Sequence, residues 1–531
     1  MATNADASNL LKFVDYRPIA HRSVSPPDQF MASTDNLRQK RIISISHPHL
    51  LLWIPIWIGI GLRIYGLSSN SIWYDEALTV FLTRQSLMKM VSLLTTELNP
   101  PLWEILEWWI VRIFTPSEIS YRVLSLISGI FTVVVAQRLL SHFQVNFTKQ
   151  FLAVCILSIG PYQLWMAQDA RVYALMSCLY LLGFWFIIQQ KWLGVLACFG
   201  LLFYSNSAAV FCVVSLVAIG LLIYPDKWRR MVYIGCASFG LFIPWFAASF
   251  GNNLSGSYFS GYNIPPVNNQ RVLEQVSYIF LTPSISNPLI SSLLRLIHIS
   301  VLVVFFVFLV VFLVNTFFRR EDNQHEFVKN SLAPLLILIF FPLIMIIIAA
   351  WFYRNGHLIL YRSFSPLAVP LVILIAVYSN LKSKFSSVIL IVLLIVNLSY
   401  HFVWTVQEKG GFLKETIQKL SMIDQPSTII FHATANSLLP FQYYLSGATH
   451  YLLDADLPAG FLVQTLQQAF DLKKISTRQI PSGSFWIIWA KDVHLPPFVE
   501  EEMNELTNKC QLMCKIYYPQ AAAIDIYYCS P

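Results

Sequence analysis

The sequence predicts a polytopic α-helical membrane protein that ends in a small α/β domain outside the membrane. Of its 531 residues, 56% are hydrophobic and only 12% are charged. Soluble globular proteins carry about 25% charged residues, so this composition, with a mean hydropathy of +0.58, indicates a chain placed mainly in lipid. The net charge of +8 does not indicate nucleic-acid binding, because the lysines and arginines form short clusters between apolar segments, as the positive-inside rule predicts.

Residues 1–48 are polar and form a predicted cytoplasmic segment without a recognisable cleavable signal. Arg38, Lys40 and Arg41 directly precede the first apolar segment. Positive charges at this place keep the N-terminus in the cytoplasm and predict that the first span is an uncleaved anchor.

Residues 49–404 are the predicted transmembrane domain of a protein of the cytoplasmic membrane. A membrane helix needs roughly 20 apolar residues, and about eleven such segments are present. They begin near residues 49, 122, 151, 173, 192, 207, 231, 290, 331, 364 and 386. If the spans alternate, the basic connections lie on the side of the N-terminus. These connections are 138–149, 191, 227–230, 319–329 and 382–384.

The alternation places the first loop (about 67–121), loop 251–289, segment 353–362 and everything after about residue 405 on the outer face. Two stretches of the first loop, Ala77–Leu94 and Leu102–Phe114, are predicted to be amphipathic helices in the membrane interface.

Residues 405–531 change in character and are predicted to form the outer α/β domain, because short β-rich runs alternate with helical patterns. The predicted strands are Ser427–Phe431, Phe485–Trp489, Lys515–Tyr518 and Ala523–Tyr528, and the predicted helices are Ala435–Leu445, Gly460–Ala469 and Val499–Asn508. Three of the eight cysteines lie here, and on the outer face they allow one disulfide with one cysteine left over. Cys514 and Cys529 flank a predicted hairpin and are the favoured pair over Cys510.

An acidic pair, Asp75-Glu76, follows the first predicted span and is the most informative feature of the chain. Charges near a bilayer are costly and are usually retained for a substrate, an ion or a partner charge. Such a pair can take a proton from a hydroxyl, hold a metal or bind a cation. The structural alternative is that both carboxylates stabilise the positive end of a helix that begins there.

Two further polar clusters are predicted at the same membrane face. In Gln168-Asp169-Ala170-Arg171, either Asp169 faces the first acidic pair across a cavity or it forms a local ion pair with Arg171. The second cluster contains Arg354, His357, Tyr361 and Arg362. Guanidinium groups at the outer end of a bundle suit a phosphate, whereas lipid-headgroup contact is the alternative. Arg122, at the start of the second span, is ambiguous in the same way.

Asn99-Pro100-Pro101 is an ordinary helix start, and Glu97 before it is either a site acid or a solvated residue. The histidines are scattered, so the sequence predicts no zinc site.

The ordered set of motifs resembles the membrane glycosyltransferases of the GT-C class. It is most similar to the bacterial branch (glycosyltransferase family 39-like) of protein O-mannosyltransferases, aminoarabinose transferases and Rgt-type lipopolysaccharide sugar transferases. The matching motifs span about residues 50–380. They are Trp73-Tyr74-Asp75-Glu76-Ala77, Asn99-Pro100-Pro101-Leu102-Trp103, Pro116-Ser117-Glu118-Ile119-Ser120-Tyr121-Arg122, Gln168-Asp169-Ala170-Arg171-Val172-Tyr173-Ala174 and Tyr361-Arg362-Ser363-Phe364-Ser365-Pro366.

This resemblance implies a GT-C fold and inverting transfer of a sugar from a polyprenyl-phosphate donor to an acceptor hydroxyl at the outer membrane face. The acceptor would be a glycolipid, a glycan or a protein, and no nucleic acid would be involved. Asp75 would be the general base, and Glu76 and Asp169 would shape the two substrate sites. The implied phosphate ligands are Arg171, Arg362, Arg354 and Arg122. The implied acceptor or substrate contacts are Tyr74, Glu97, Asn99, Tyr173, His357 and Tyr361.

One departure concerns Asn99. The family's Pro-Pro step usually follows a histidine that is a proposed site contributor in some members, whereas here it follows Asn99. The role of that histidine is therefore open in this chain. Some relatives use a divalent cation and others do not. The sequence has no dense ligand set, which favours a reaction without a metal and leaves a divalent cation open.

Three other functions compete with the transferase. A lipid-linked sugar transporter or flippase would also need many spans, but transporters tend to show internal repeats and polar groups at mid-membrane, which this sequence lacks. A non-catalytic assembly subunit would leave the acidic pair unexplained. An oligosaccharide polymerase or ligase differs only in moving a chain instead of one sugar.

Overall fold

The computed structural model describes most of the chain from residue 48 onwards. The described residues are 48–65, 67–68, 70–96, 99–254, 272, 275–276, 288–319, 331–353, 361–378, 383–403, 413–423, 429–453, 469–476, 479–480, 483–490, 497–518 and 521–530. The chain divides into two compact units, Met1–His49 and Leu50–Pro531. The sheet, the candidate site and the bundle from Leu50 onwards belong to the second unit.

The described residues from Leu50 to Val403 form a helical bundle. Its helices are α1 (Pro48–Leu51), α2 (Trp53–Tyr65), α3 (Tyr74–Thr83), α4 (Leu87–Leu94), α5 (Leu102–Ile113), α6 (Glu118–His142), α7 (Phe147–Ile159), α8 (Pro161–Ala167), α9 (Tyr173–Ile188), α10 (Trp192–Phe203), α11 (Ala209–Ile223), α12 (Trp228–Leu254), α13 (Pro288–Arg319), α14 (Ala333–Tyr353), α15 (Ser365–Tyr378) and α16 (Ser383–Val403). Short 3-10 helices occupy Pro225–Lys227 and Tyr361–Phe364. α9 packs against α6, α10 and α15, at the centre of one apolar core.

The described residues confirm a multi-pass membrane protein. Four helical segments are long and apolar enough to cross a bilayer: Glu118–His142, Pro225–Phe250, Ser292–Val311 and Ala333–Phe352. α7 and α8 together would form a fifth span, bent by 50°. Every other predicted span begins in or beside an apolar helix of 10–17 residues, so the count of about eleven spans stays a prediction.

The bend between α7 and α8 explains a buried arginine inside the bundle. Pro161 has no N–H, so the helical ladder breaks there and leaves carbonyls without their usual donors. Arg63, which is only 1% exposed, donates to the carbonyls of Ser158 at 2.7 Å and Leu157 at 3.2 Å. A polar backbone group in lipid must be satisfied within the protein, so Arg63 replaces the missing helical hydrogen bonds.

The first loop contains three helices, α3, α4 and α5, where two were predicted. The predicted helix Ala77–Leu94 is interrupted at residues 84–86, because the chain turns there before Ser86 begins α4. The helical character of both stretches is confirmed, whereas their position in the membrane interface stays a prediction.

The C-terminal α/β region contains a six-stranded mixed sheet. Its elements are α17 (Leu413–Ile423), β1 (Ile429–His432), α18 (Ala435–Tyr444), β2 (Thr449–Leu453), β3 (Lys473–Ile475), β4 (Phe485–Ala490), α19 (Pro497–Thr507), β5 (Gln511–Tyr518) and β6 (Ala521–Cys529). The strand order is β3-β2-β1-β4-β6-β5, with β3, β2, β1 and β4 parallel and both β6 pairings antiparallel. All four predicted strands are present, β2 and β3 were not predicted, and most of the predicted helix Gly460–Ala469 lies outside the described residues.

The preferred disulfide was wrong. Cys510 bonds Cys529, and Cys514 is free. The register of β5 and β6 is the reason, because Gln511 lies opposite Tyr528 whereas Cys514 lies opposite Ile526. The sulfur that reaches Cys529 is therefore the one just before β5.

The α/β region packs directly on the first-loop helices. Ile72, Leu78 and Phe81 bury their side chains with Leu438, Leu439 and Phe470, and we call this group the docking cluster. The rings of Phe81 and Phe470 lie 5.5 Å apart. The segment that carries Asp75-Glu76 is therefore held between the bundle and the sheet.

Candidate active site

Asp75 and Glu76 occupy the first turn of α3, so the structural alternative, in which carboxylates lie at the positive end of a helix, describes their position. The preceding residue, Trp73, has an extended backbone, and its N–H donates to the Glu76 carboxylate at 3.4 Å. Consecutive residues of an α-helix point about 100° apart, since one turn takes 3.6 residues. The two carboxylates therefore enter different surroundings.

Glu76 is enclosed in the protein. Its carboxylate accepts from Arg122 Nε at 2.8 Å and Nη2 at 2.6 Å, and both side chains are fully buried. The backbone N–H of Ala170 supplies a further hydrogen bond at 2.8 Å, in addition to the one from Trp73. A buried ion pair is tolerated when its remaining donors and acceptors are satisfied, and this geometry meets that condition.

Arg122 also binds the backbone in front of α3. Its guanidinium donates to the carbonyls of Leu67, Asn70 and Ser71, at 2.6, 2.9 and 3.1 Å. The sequence suggested Arg122 as a phosphate ligand, but the structure places it inside the protein with five hydrogen bonds already made. This arrangement favours a structural role for Arg122.

Asp75 lies in a different electrostatic environment. Its carboxylate contacts the guanidinium of Arg362 and lies 4.0 Å from that of Arg171. All three side chains keep some exposure, at 13%, 18% and 11% respectively. Two guanidinium groups beside one carboxylate give these three side chains a net positive charge, so together they attract an anion.

Aromatic rings flank the exposed arginine. The guanidinium carbon of Arg362 lies 5.2 Å from the centre of the Trp73 ring and 5.9 Å from that of Tyr173. Both distances fit cation–π contact. Because the rings border the guanidinium, the position of Arg362 is defined, and its side chain is still 18% exposed.

Asp169 is buried beneath this group and does not face Asp75 as an open second acid. Its carboxylate accepts from the Trp73 indole N–H at 3.0 Å, and the residue is only 1% exposed. Arg171, two residues later, donates to the Asp75 carbonyl and the Thr79 hydroxyl, each at 3.3 Å. Burial lowers the pKa of Arg171, but attraction to Asp75 and other neighbours outweighs burial and raises the pKa above its usual value, so the guanidinium stays charged.

The other predicted site residues are only partly described. Tyr74 is half-buried in the first turn of α3, and the Asn99 side chain accepts from Asn206 Nδ2 at 3.0 Å. For Tyr361 the structure describes only the backbone, in a 3-10 turn next to Arg362. Glu97, Arg354 and His357 lie outside the described residues.

Sequence reasoning missed the surroundings of two acidic residues on α5. Glu104 and Glu107 are buried, and neither oxygen of Glu107 has a hydrogen-bond partner among the described residues. Burial, with the negative charges of Glu104 and Glu76, raises the pKa of Glu107 well above its usual value. Burial also raises the pKa of Glu104, although the nearby Arg171 opposes this shift. Their three-residue spacing, which puts both on one helix face, was the available signal.

A metal centre gains no support from the described part of the chain. No group of three or more histidine, cysteine, aspartate or glutamate side chains there is arranged to hold an ion.

Comparison with known proteins identifies the fold. The structure is similar to the crystal structure of ArnT from Cupriavidus metallidurans in the apo state, with a TM-score of 0.53 and 11% sequence identity. The match covers 90% of this chain and 98% of ArnT. ArnT from the same organism bound to undecaprenyl phosphate gives a TM-score of 0.49 at 10% identity, with the same coverage. No protein-family model and no curated protein matches the sequence. The chain therefore has an ArnT-like fold, as the resemblance to the GT-C class predicted.

Proposed function

We propose that this protein is an inverting glycosyltransferase that uses a polyprenyl-phosphate-linked sugar. The observation that carries the proposal is the partly exposed group of Asp75, Arg171 and Arg362, which combines one base with two phosphate-binding cations. The ordered motifs around these residues and the ArnT-like fold support the same reaction class.

The reaction needs one base and stabilisation of a departing phosphate. In the proposed step, Asp75 takes the proton from an acceptor hydroxyl, and the hydroxyl oxygen attacks the anomeric carbon of the sugar. The bond from that carbon to the phosphate oxygen breaks, and its electron pair leaves on the lipid phosphate. Attack opposite to the leaving group inverts the anomeric configuration. Arg171 and Arg362 stabilise the phosphate charge.

In this proposal, the contact between Asp75 and Arg362 makes donor binding precede the action of Asp75 as a base. The Arg362 guanidinium bound to Asp75 Oδ2 occupies a lone pair of that oxygen, which the proton would otherwise take. A donor phosphate offers Arg362 a competing anion, and its binding would release the carboxylate. The base would thus become available after the donor has bound.

The neighbouring residues have supporting roles in this proposal. Asp169 orients Trp73 through the indole N–H, and Trp73 and Tyr173 keep Arg362 in place. Glu76 and Arg122 hold the backbone segment directly before α3, the helix that carries Asp75, in place. Tyr74, Asn99, Glu97, His357 and Tyr361 remain proposed acceptor contacts, and Arg354 remains a proposed phosphate ligand.

The disulfide supports placing the site on the outer face. Structural disulfides persist in oxidising compartments such as the periplasm and are rare in the cytosol. The Cys510–Cys529 bond lies in the α/β region, which packs on the same first-loop helices that carry Asp75. This contact and the disulfide support placing both on the same side of the membrane, outside the cytoplasm.

Transfer by the purified protein tests this function. The protein in nanodiscs would receive a panel of polyprenyl-phosphate sugars with membrane glycolipids, glycans and proteins as acceptors. We expect transfer by the wild type and a loss of roughly 10²–10⁴-fold in Asp75→Asn, the usual contribution of a general base. Asp226→Asn, an exposed aspartate beside α12, is the matched control and should retain full activity.

Other results would overturn the proposal. Equal transfer by the wild type and Asp75→Asn would remove Asp75 from catalysis. Binding of a donor without transfer to any acceptor, together with movement of that donor across the bilayer, would show a transporter. Transfer of a preassembled oligosaccharide only would show a ligase.

A further inference from the structure

The α/β region contacts the segment directly before Asp75 through a small polar group. It consists of Ser71, Ile72, Glu118, Lys414 and Tyr444, and we call it the Glu118 junction. The Tyr444 hydroxyl accepts from the Ile72 N–H at 2.7 Å and donates to Glu118 Oε1 at 2.5 Å. Lys414 Nζ lies 2.7 Å from Glu118 Oε2, and the Lys414 N–H donates to Ser71 Oγ at 3.0 Å.

One helix turn of α6 connects this junction to the core of the site. Glu118 and Arg122 are four residues apart and so lie on the same helix face. Arg122 binds the Ser71 carbonyl, while Lys414 binds the Ser71 hydroxyl. The backbone before α3 is thus held from the bundle by Arg122 and from the α/β region by the Glu118 junction.

We propose that the α/β region is a positioning element of the active site and that Tyr444 is the positioning residue through which it sets the place of Asp75. Ile72 immediately precedes Trp73, the N-cap residue of α3, and stands three residues before Asp75. Displacement of a catalytic group by about 1 Å can cost about 10²-fold in rate. A hydrogen bond at this point therefore acts on Asp75 without touching a substrate.

The chemistry of Tyr444 suits this role. Burial and the neighbouring Glu118 carboxylate raise the pKa of Tyr444, so its phenol keeps its proton at neutral pH and remains a donor. The hydroxyl therefore has two fixed partners: it donates to Glu118 and accepts from Ile72.

Attachment of the region and positioning of Asp75 are separable. The docking cluster supplies apolar contact between α3 and the α/β region, and the Tyr444 ring packs against it. Tyr444→Phe keeps that ring and removes only the hydroxyl. The variant should therefore stay folded and docked while the Ile72 N–H loses its partner.

Hydrogen exchange and kinetics on the full-length protein in nanodiscs test the proposal. In Tyr444→Phe we expect exchange of the amides of residues 72–76 to be about tenfold faster, which is the scale of one buried hydrogen bond. The exchange test needs no activity, whereas the kinetic test rests on the proposed transferase. There, kcat should fall about tenfold while KM for the donor stays within about twofold.

Tyr443→Phe is the matched control. Tyr443 is the adjacent tyrosine, and no hydrogen bond to its hydroxyl is found among the described residues. It should leave both exchange and kcat unchanged. Lys414→Met, which removes the ion pair but keeps the backbone bond to Ser71, should change both in the direction of Tyr444→Phe by a smaller factor.

Several results would overturn the proposal. Unchanged exchange in Tyr444→Phe would show that its hydroxyl does not fix the segment. Faster exchange with unchanged kcat would make the contact structural only, and equal effects in Tyr443→Phe would show that the ring matters instead. An inactive wild type would overturn the transferase, and the exchange result would still decide whether Tyr444 fixes this segment.

Discussion

Asp75 and Glu76 are neighbours in the chain and have opposite surroundings. Glu76 is fully buried and accepts two hydrogen bonds from Arg122 and two from the backbone amides of Trp73 and Ala170. Asp75 is partly exposed between Arg362 and Arg171, whose guanidinium groups also remain partly exposed. Two adjacent carboxylates in a membrane protein can therefore differ in role: Glu76 stabilises the fold through its buried ion pair, and Asp75 keeps the partial exposure that a reacting group needs.

The largest effect should follow from breaking the buried pair. Arg122→Leu leaves Glu76 as an uncompensated buried charge, which costs about 3–5 kcal/mol of stability. We expect little monodisperse protein and a strongly lowered unfolding temperature, measured by thermal unfolding in detergent. Arg138→Leu makes the same replacement at an exposed position of α6 and should be close to wild type. Similar unfolding temperatures for both variants would contradict a structural role for the buried ion pair, because Glu76 would then need no buried partner.

A smaller, purely functional effect is expected at Arg362. Arg362→Gln should weaken binding of a polyprenyl phosphate by roughly 10–100-fold, since hydrogen bonds to charged groups contribute about 1.5–3 kcal/mol. Isothermal titration of the lipid into nanodiscs would measure the Kd, with Arg138→Gln as control.

The same titration tests whether the Asp75 carboxylate and the lipid phosphate compete for Arg362. Asp75→Asn removes the competing charge, so it should bind the lipid phosphate more tightly than the wild type. Weaker binding in Asp75→Asn would contradict competition and assign Asp75 to the phosphate site itself.

The smallest effect concerns Glu107, a buried carboxyl near Glu76 whose oxygens have no described hydrogen-bond partner. Its pKa is raised in the folded protein, so the folded state binds the proton more tightly and wild-type stability falls as the pH rises above the unfolded value of about 4.5. Glu107→Gln carries no such charge. Its unfolding temperature relative to the wild type should therefore be higher at pH 8 than at pH 5. A difference that does not change with pH would show that Glu107 is ionised or accessible in the folded protein.

The sequence predicted the broad features because composition and local pattern determine them. Low charge and long apolar runs predicted a membrane bundle, and alternating β-rich and helical patterns predicted an α/β region. Asp75-Glu76 was predicted to be a site because charged side chains near a bilayer cost free energy and are usually retained for a partner or a substrate. The short strands β2 and β3 carry too little local pattern to be recognised.

Long-range contacts could not be predicted in the same way. Glu76 and Arg122 are separated by 46 residues, and only the tertiary fold brings their side chains together. Likewise, Cys510 rather than Cys514 meets Cys529 because of the register between β5 and β6. The sequence identified most of these residues as important but could not assign their partners.

The most direct test compares Asp75→Asn with Glu76→Gln in one preparation, with sugar transfer and unfolding temperature measured for each. The account predicts that Asp75→Asn loses transfer and keeps an unfolding temperature near that of the wild type. It predicts that Glu76→Gln lowers the unfolding temperature strongly, because Arg122 remains buried without its counter-charge. Full transfer by Asp75→Asn, or a stable Glu76→Gln protein that has lost only transfer, would contradict the division of roles between the two carboxylates.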